Sequence, residues 1–281
     1  MSEIQVMDLN IMHTIASGQP LTFHAEYDSG AGIVKYNNGT QLVMIEQRAA
    51  RTKVRIEARD QNQAAIEFSK RFRLSDNMKK IYSAINTDAF MDSAISNYGG
   101  MRLTLNDPWE TTVCFILSQY NNLKRIRRIV LELKERYGEA STDGSIAFPK
   151  PERIKAASEA ELKDCGMGFR ARYIKSAAEM CTENIDLHAL TGKGYDNVKS
   201  NLMEICGVGE KVADCIALMG YGELEAFPID VWVKRTMEKV YFKGREKKID
   251  KLMDFAEEKW GKNRGYAQQY IFWNGMNVVK R

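Results

Sequence analysis

The order of apolar and polar residues changes character near residue 74. Before it, short segments alternate with a period of two, as strands do when one face stays wet. Segments 32–36 and 41–47 flank Asn37, Asn38 and Gly39, a turn signal that predicts a hairpin. Segment 22–27 also alternates, 51–59 alternates basic and apolar residues, and 66–72 reads as a further strand. From Ser75 the period becomes helical. Ser75 and Asp76 are placed to cap a helix with Met78, Ile81, Tyr82 and Ile85 on one face. Another runs from Asp88 to about Tyr98 and stops at Gly99 and Gly100. Asn106, Asp107 and Pro108 open a strongly apolar helix reaching Gln119. The rest is helical with short polar links, closing on 265–279. The predicted class is α+β: a small N-terminal antiparallel β-sheet domain (1–74) packed on a larger all-helical domain (75–281).

One stretch of the helical part combines several signals. Residues 198–220 read as a helix, the turn Gly207-Val208-Gly209, and a second helix. Leu202 and Ile205 close the first helix; Lys211 opens the second, with Val212, Cys215, Ile216 and Met219 as its apolar stripe. Gly207 and Gly209 are both expected to take backbone angles closed to other residues. The amides of such a turn, with the positive end of the second helix, make an anion site suited to a nucleic-acid phosphate. The second helix is ~15 Å long. Segment 222–229 spans up to ~25 Å when extended, so the chain can bring Asp230 of the Pro-x-Asp loop 228–230 back beside Lys211. A Lys at a helix start feels a field that disfavours its charge. A neutral amine is a nucleophile, and a nearby carboxylate stabilises a developing cation. Asp230 is also placed to cap the following helix.

Composition narrows the class. A chain of 281 residues, 44% hydrophobic and 28% charged, can bury a core as a soluble globular protein. No stretch reaches the ~18 apolar residues of a membrane span, and the N-terminus carries no visible signal peptide. The five cysteines (Cys114, Cys165, Cys181, Cys206 and Cys215) are scattered, with no CxxC pair, as in a reducing cytoplasm. The three histidines do not cluster, which argues against zinc. A net charge of +4 is too small to demonstrate DNA binding by itself. The local cluster Lys124, Arg125, Arg127 and Arg128 says more, while the basic run 234–251 fits a solvated face equally well.

Gly-Val-Gly-x-Lys-Val-Ala-Asp-Cys-Ile followed by Pro-x-Asp-Val resembles the helix-hairpin-helix GPD superfamily of DNA glycosylases. Within it, the Lys, the Cys and the Leu-Met pair resemble the 8-oxoguanine DNA glycosylase/AP lyase family, and the likeness extends over nearly the whole chain. The resemblance implies that Lys211 and Asp230 are catalytic. It also implies no cofactor: relatives of the endonuclease III type hold an iron–sulfur cluster with four late cysteines, and here none follows Cys215. Backbone carbonyls of Met203, Ile205 and Val208 are a candidate cation site.

The family's base-reading residues have counterparts here. Ser17-Gly18-Gln19 resembles its Ser-Gly-Gln segment, whose Gly carbonyl accepts from the N7–H that 8-oxoguanine has and guanine lacks. Gln268 and Phe272, one turn apart on the last helix, match the Gln that reads the Watson–Crick edge and the Phe that stacks on the base; Gln269 is expected to point elsewhere. Cys215 would cover the other face. Segment 118–125 resembles Ser-Ser-Asn-Asn-Asn-Ile-Ala-Arg, so Asn122 and its neighbours would fill the gap left by the flipped base, with Tyr120 standing where the family has its first Asn. Arg125 and Arg170 match two arginines that contact the orphaned cytosine. Phe169 replaces the wedge Tyr. Trp232 replaces a phosphate-side His. Gly207 and Gly209 would approach DNA through the hairpin.

The expected function is therefore a bifunctional glycosylase that excises 8-oxoguanine from duplex DNA opposite cytosine, through a Lys211 Schiff base, and nicks the strand by β-elimination. The chain is expected to act as a monomer on double-stranded DNA, away from membranes, in the cytoplasm or wherever the genome lies. Two alternatives share the scaffold: a monofunctional alkylpurine glycosylase, which keeps the Asp but lacks the Lys, and a non-catalytic hairpin module, which needs neither Asp230 nor the base-reading set.

Overall fold

The computed structural model describes residues 2–47 and 53–278. Five strands, β1 (Ser2–Gln5), β2 (Glu26–Asp28), β3 (Ile33–Asn37), β4 (Leu42–Gln47) and β5 (Lys53–Glu57), form an antiparallel sheet in the order β1-β5-β4-β3-β2. The register sets Val34 opposite Ile45, Tyr36 opposite Val43, and Ile45 opposite Ile56. All of these face inward and are buried, so the period of two in the sequence becomes one covered face. The cover comes from α1 (Ile11–Ala16) and α3 (Gln61–Arg71); α2 (Pro20–His24) bridges the two parts, with Leu21 in the sheet-side core and Phe23 in the core of the helical part.

The helical part follows as α4 (Met78–Ile85), α5 (Ala89–Tyr98), α6 (Pro108–Ser118), α7 (Leu123–Tyr137), α8 (Pro151–Ala156), α9 (Glu159–Leu162), α10 (Arg170–Glu183), α11 (Tyr195–Met203), α12 (Glu210–Ile216), α13 (Val231–Tyr241), α14 (Ile249–Trp260) and α15 (Arg264–Val278). Its core is a second hydrophobic cluster, to which α6 contributes Trp109 and the run 113–117. Polar ties join the two parts. Arg102, 3% exposed, donates to the carbonyls of Met7, Asp8 and Arg73. The tip of the β3–β4 hairpin donates from Asn37 Nδ2 to the hydroxyls of Ser141 and Ser145. No helix among the described residues is long and apolar enough to cross a membrane.

Three expectations are corrected. Segment 22–27 is not one strand: Pro20 starts the short helix α2, whose residues are all buried, and only 26–28 pair in the sheet. A helix buried on every side leaves no periodic trace. Segment 66–72 lies on a helix, α3, capped by Asp60, which accepts from the Gln63 amide at 2.9 Å. Ala64, Phe68 and Phe72 form its buried edge at intervals of four, while Ile66 is 65% exposed. The cap of α4 is Asn77, not Ser75 or Asp76; the Asp76 carboxylate instead accepts from Arg73 and from the Tyr266 hydroxyl, each at 2.7 Å. Strand β1 was not foreseen. Arg51 and Thr52 of the predicted strand 51–59, and Val279 of the predicted last helix, lie outside the described residues.

Candidate active site

The hairpin between α11 and α12 forms as its glycines require, with one difference. Gly207 is left-handed, φ +87°, and a Cβ there would lie 2.7 Å from Tyr173 Cγ, so only glycine fits. Gly209 is extended, φ −92° and ψ 178°, and needs no glycine for its conformation. Nothing lies within 4 Å of where its Cβ would be. The surface ahead of α12 is thus open at Gly209. The carbonyl of Gly207 accepts from Gln119 Nε2 at 2.9 Å, tying the hairpin to the end of α6. The Ile205 carbonyl accepts the Val208 amide at 2.9 Å, leaving one lone pair free.

A cavity of about 670 Å³ opens beside the hairpin and gathers residues from five separated segments. Lys211 and Cys215 enter from α12, Asp230 from the start of α13, Gly18 from the α1–α2 turn, Phe115 from α6, and Gln268 and Phe272 from α15. Lys211 is half-buried, its Nζ 5.8 Å from the centre of the Phe115 ring. Asp230 caps α13 by accepting from the Val233 amide at 2.8 Å and still lines the cavity. Burial raises its carboxyl pKa above the ordinary 3.8, against the opposing pull of the Val233 amide and the Lys211 charge. Burial pushes the Cys215 thiol up to about 11, with the Lys211 charge opposing, so it is neutral near pH 7. An amine and a carboxylate close enough to feel each other's charge can attack an electrophile and stabilise the cation that forms.

The polar lining is selective. Gln268 is 5% exposed; its Nε2 donates to the Pro228 carbonyl at 3.0 Å, and its Oε1 has no partner. A buried acceptor left open is an invitation to a donor from a ligand. Gln269 does not point elsewhere as expected: it lines the same cavity and donates from Nε2 to the Ser17 carbonyl at 2.9 Å. Gly18 is left-handed, φ +78°, and a Cβ there would touch Phe272 Cε1 and Leu123 Cδ2 at 3.4 Å. Trp232 also lines the cavity, half-buried.

The rim departs most from expectation. Asn122 caps α7, its Oδ1 accepting from the Arg125 amide at 2.9 Å. Tyr120 is the residue that projects: it is 95% exposed on a left-handed backbone, φ +47°, costly for a bulky side chain. Arg170 does not reach outward. It is 3% exposed, and its guanidinium donates to the carbonyls of Gln119, Tyr120 and Met167. Its guanidinium carbon also lies 4.4 Å from the centre of the Phe169 ring, which is 46% exposed. Arg125 remains exposed, with one donor on the Gly166 carbonyl at 3.1 Å. Arg127, from the same basic cluster, is spent on the carbonyls of Thr22 and Ala25. A separate cleft of about 690 Å³, with His188 Nε2 3.4 Å from Asp107 Oδ2, contains none of the residues given a catalytic, base-reading or DNA-contacting role from the sequence.

Known proteins match this arrangement along its length. Residues 113–262 match the HhH-GPD superfamily base excision DNA repair protein family, and residues 2–112 match the 8-oxoguanine DNA glycosylase N-terminal domain. A probable N-glycosylase/DNA lyase of Methanothermobacter thermautotrophicus is 30% identical over 224 residues, covering 72% of this chain and 71% of that one. The N-glycosylase/DNA lyase of Saccharomyces cerevisiae is 30% identical over 251 residues, covering 75% of this chain and 67% of that one. The solved structure of MBOgg1 in complex with a low affinity DNA ligand superposes with a TM-score of 0.91 at 30% identity, covering 99% of this chain and 96% of that one. The chain belongs to the 8-oxoguanine DNA glycosylase family of the HhH-GPD superfamily and is a DNA N-glycosylase with lyase activity at apurinic or apyrimidinic sites.

Proposed function

We propose that the chain excises 8-oxoguanine lying opposite cytosine in duplex DNA, through an imine between Lys211 and the deoxyribose, and then nicks the strand. The observation that carries this reading is one cavity shared by the Lys211 amine, the Asp230 carboxylate and the unpartnered Gln268 Oε1. The relatives named N-glycosylase/DNA lyase support it. Lys211 as the free amine attacks C1′, and the N-glycosidic bond breaks with its electron pair leaving on the base, which takes up a proton. Asp230 stabilises the positive charge on the sugar. Ring opening gives the imine between Nζ and C1′. Loss of a C2′ proton then expels the 3′ phosphate by β-elimination, and water releases Lys211.

The lesion has to leave the helix to reach this cavity. Gln268 Oε1 accepts from the N1–H and exocyclic amine edge of the purine. The Gly18 carbonyl takes the N7–H that undamaged guanine lacks, so guanine would leave it unpaired. Phe272 and the neutral Cys215 thiol cover the two faces. Tyr120 fills the space the base vacates, Phe169 wedges the neighbouring step, and Arg125 contacts the orphaned cytosine. The hairpin, through Gly207 and Gly209, takes a phosphate, and carbonyls of Met203, Ile205 and Val208 are available to a bridging cation. The protein acts as a monomer. A lone alkylpurine glycosylase would have no use for an amine in the cavity.

The test uses duplexes with a single 8-oxoguanine opposite each of the four bases, with and without borohydride. Wild type should excise, nick and be trapped covalently, fastest opposite cytosine. Lys211→Gln should bind and do none of these. A trapped complex with Lys211→Gln overturns the nucleophile assignment, and equal rates opposite all four bases overturn the cytosine preference.

A further inference from the structure

Two adjacent carboxamides on α15 line the cavity and bond to two different backbone segments. Gln268 Nε2 donates to the Pro228 carbonyl, two residues before Asp230, at 3.0 Å. Gln269 Nε2 donates to the Ser17 carbonyl, immediately before Gly18, at 2.9 Å. The second bond joins residues 252 positions apart and is fully buried, with Gln269 2% exposed.

The Ser17–Gln19 turn has other anchors, among them backbone bonds from the Ser17 amide to the Thr14 carbonyl at 3.4 Å and from the Thr22 amide to the Gln19 carbonyl at 2.9 Å. Ser17 Oγ donates to the Thr14 carbonyl at 2.7 Å and accepts from Gln19 Nε2 at 3.0 Å. Gln19 in turn donates to the Arg102 carbonyl at 2.9 Å and accepts from the Thr104 amide at 2.7 Å. These bonds anchor side chains of the turn. The Gln269 bond engages the Ser17–Gly18 peptide itself. Gly18, left-handed and without a Cβ, has more rotational freedom than any other residue would have there. Its neighbours across the gap, Phe272 and Leu123, make only van der Waals approaches. Among the described bonds, the one from Gln269 ties the Ser17–Gly18 peptide to α15 and so sets it against Phe272 on the same helix.

We infer that Gln269 is a positioning residue for base recognition: it fixes the Ser17–Gly18 peptide relative to the base-stacking residue of its own helix without touching DNA. The inference rests on the functional reading above, and one consequence separates it from a general structural role. An abasic site carries no base to recognise. Loss of the tether should impair removal of 8-oxoguanine and spare Lys211-dependent nicking at a preformed abasic site.

The experiment compares wild type with Gln269→Met and Gln269→Leu, both of which remove the donor, in single-turnover assays on an 8-oxoguanine duplex and an abasic duplex. Thermal unfolding controls for folding. Both variants should lose tenfold or more in the base-excision rate and stay within twofold on the abasic site. Unchanged excision, or an equal fall on both substrates, overturns the inference. Failure of wild type itself on 8-oxoguanine would instead overturn the functional reading, so the two failures are distinguishable.

Discussion

The guanidinium of Arg170 holds the peptide on which Tyr120 stands, its Nη2 2.9 Å from the Tyr120 carbonyl and also bonded to that of Gln119. Tyr120 thus projects from a strained but anchored backbone, and the strain persists because Arg170 enforces it. Tyr120→Phe should match wild type, since stacking needs the ring alone. Tyr120→Gly relieves the left-handed strain, so its unfolding midpoint should equal or exceed wild type while kcat/KM falls about tenfold or more, the worth of a stacked base. Fluorescence of 2-aminopurine beside the lesion would report the same loss as incomplete flipping.

The same geometry changes what Arg170 is expected to do. As a base reader, its loss would hurt only duplexes with cytosine opposite the lesion. As an internal anchor, Arg170→Lys should slow excision by a similar factor opposite all four bases. Arg125→Ala, on the exposed arginine, should narrow the ratio between cytosine and adenine opposite the lesion. Rates on the four duplexes for both variants decide which arginine reads.

The two hairpin glycines should respond differently to one added methyl. Gly207→Ala puts a Cβ 2.7 Å from Tyr173 Cγ on a left-handed backbone, so it should lower stability by about 1–3 kcal/mol and loosen the turn. Gly209→Ala meets nothing within 4 Å and sits on an extended backbone, so it should unfold as wild type does. Its effect should appear only with DNA, as weaker binding with a normal unfolding midpoint, because the methyl occupies space a phosphate would approach.

What the sequence disclosed follows from how locally each feature is determined. Asp107-Pro108 starts α6 and Asn37-Asn38-Gly39 turns β3 into β4 because caps and turns act on adjacent residues. The return of Asp230 to the cavity of Lys211 was legible from chain length and motif together. The misses are of another kind. Ile66 breaks the eye's count of α3 because it is exposed between buried Ala64 and Phe68. Asn122 caps α7 and also lines the cavity, and the cap was not read from the sequence because its side chain suits either place. Arg170 points inward because carbonyls of a distant loop lie within its reach, and Gln269 because Ser17 does. No pattern in the sequence encodes contacts of that range.

The acid limb of the reaction should belong to Asp230. Its pKa is raised by burial, so on acidification it is protonated earlier than an ordinary carboxylate with pKa 3.8. Single-turnover excision should therefore fall with an apparent pKa above 3.8, and Asp230→Asn should be slow across the whole range without that limb. Asn caps helices as well as Asp does. A raised folded-state pKa means the charged form is disfavoured in the fold at neutral pH, so Asp230→Asn should unfold at the same temperature or higher. A wild-type limb at or below 3.8, or one that survives in the variant, would assign it elsewhere.

Acid stability should be set by a pair outside the cavity. His24 Nε2 lies 2.6 Å from Glu110 Oε1, and both residues are buried between α2 and α6. Burial would raise the Glu110 carboxyl, but His24, Arg71 and Lys134 outweigh it and hold the pKa at about 2 against an ordinary 4.5. Burial lowers the His24 pKa below 6.5, with Glu110 opposing. A depressed carboxyl contributes stability that is full above 4.5 and is lost as pH falls toward 2. A depressed histidine acts in the same direction: below 6.5 the unfolded chain takes up a proton that the fold resists. The unfolding midpoint should thus fall from about pH 6 downward, most steeply below 4.5, where Glu110 takes up its proton. Glu110→Gln should be less stable than wild type at pH 7 and flatter between pH 5 and about pH 3, where its missing carboxylate no longer titrates. Thermal midpoints of both proteins at about pH 7, 6, 5, 4 and 3 check this, and parallel curves would place the acid sensitivity in other groups.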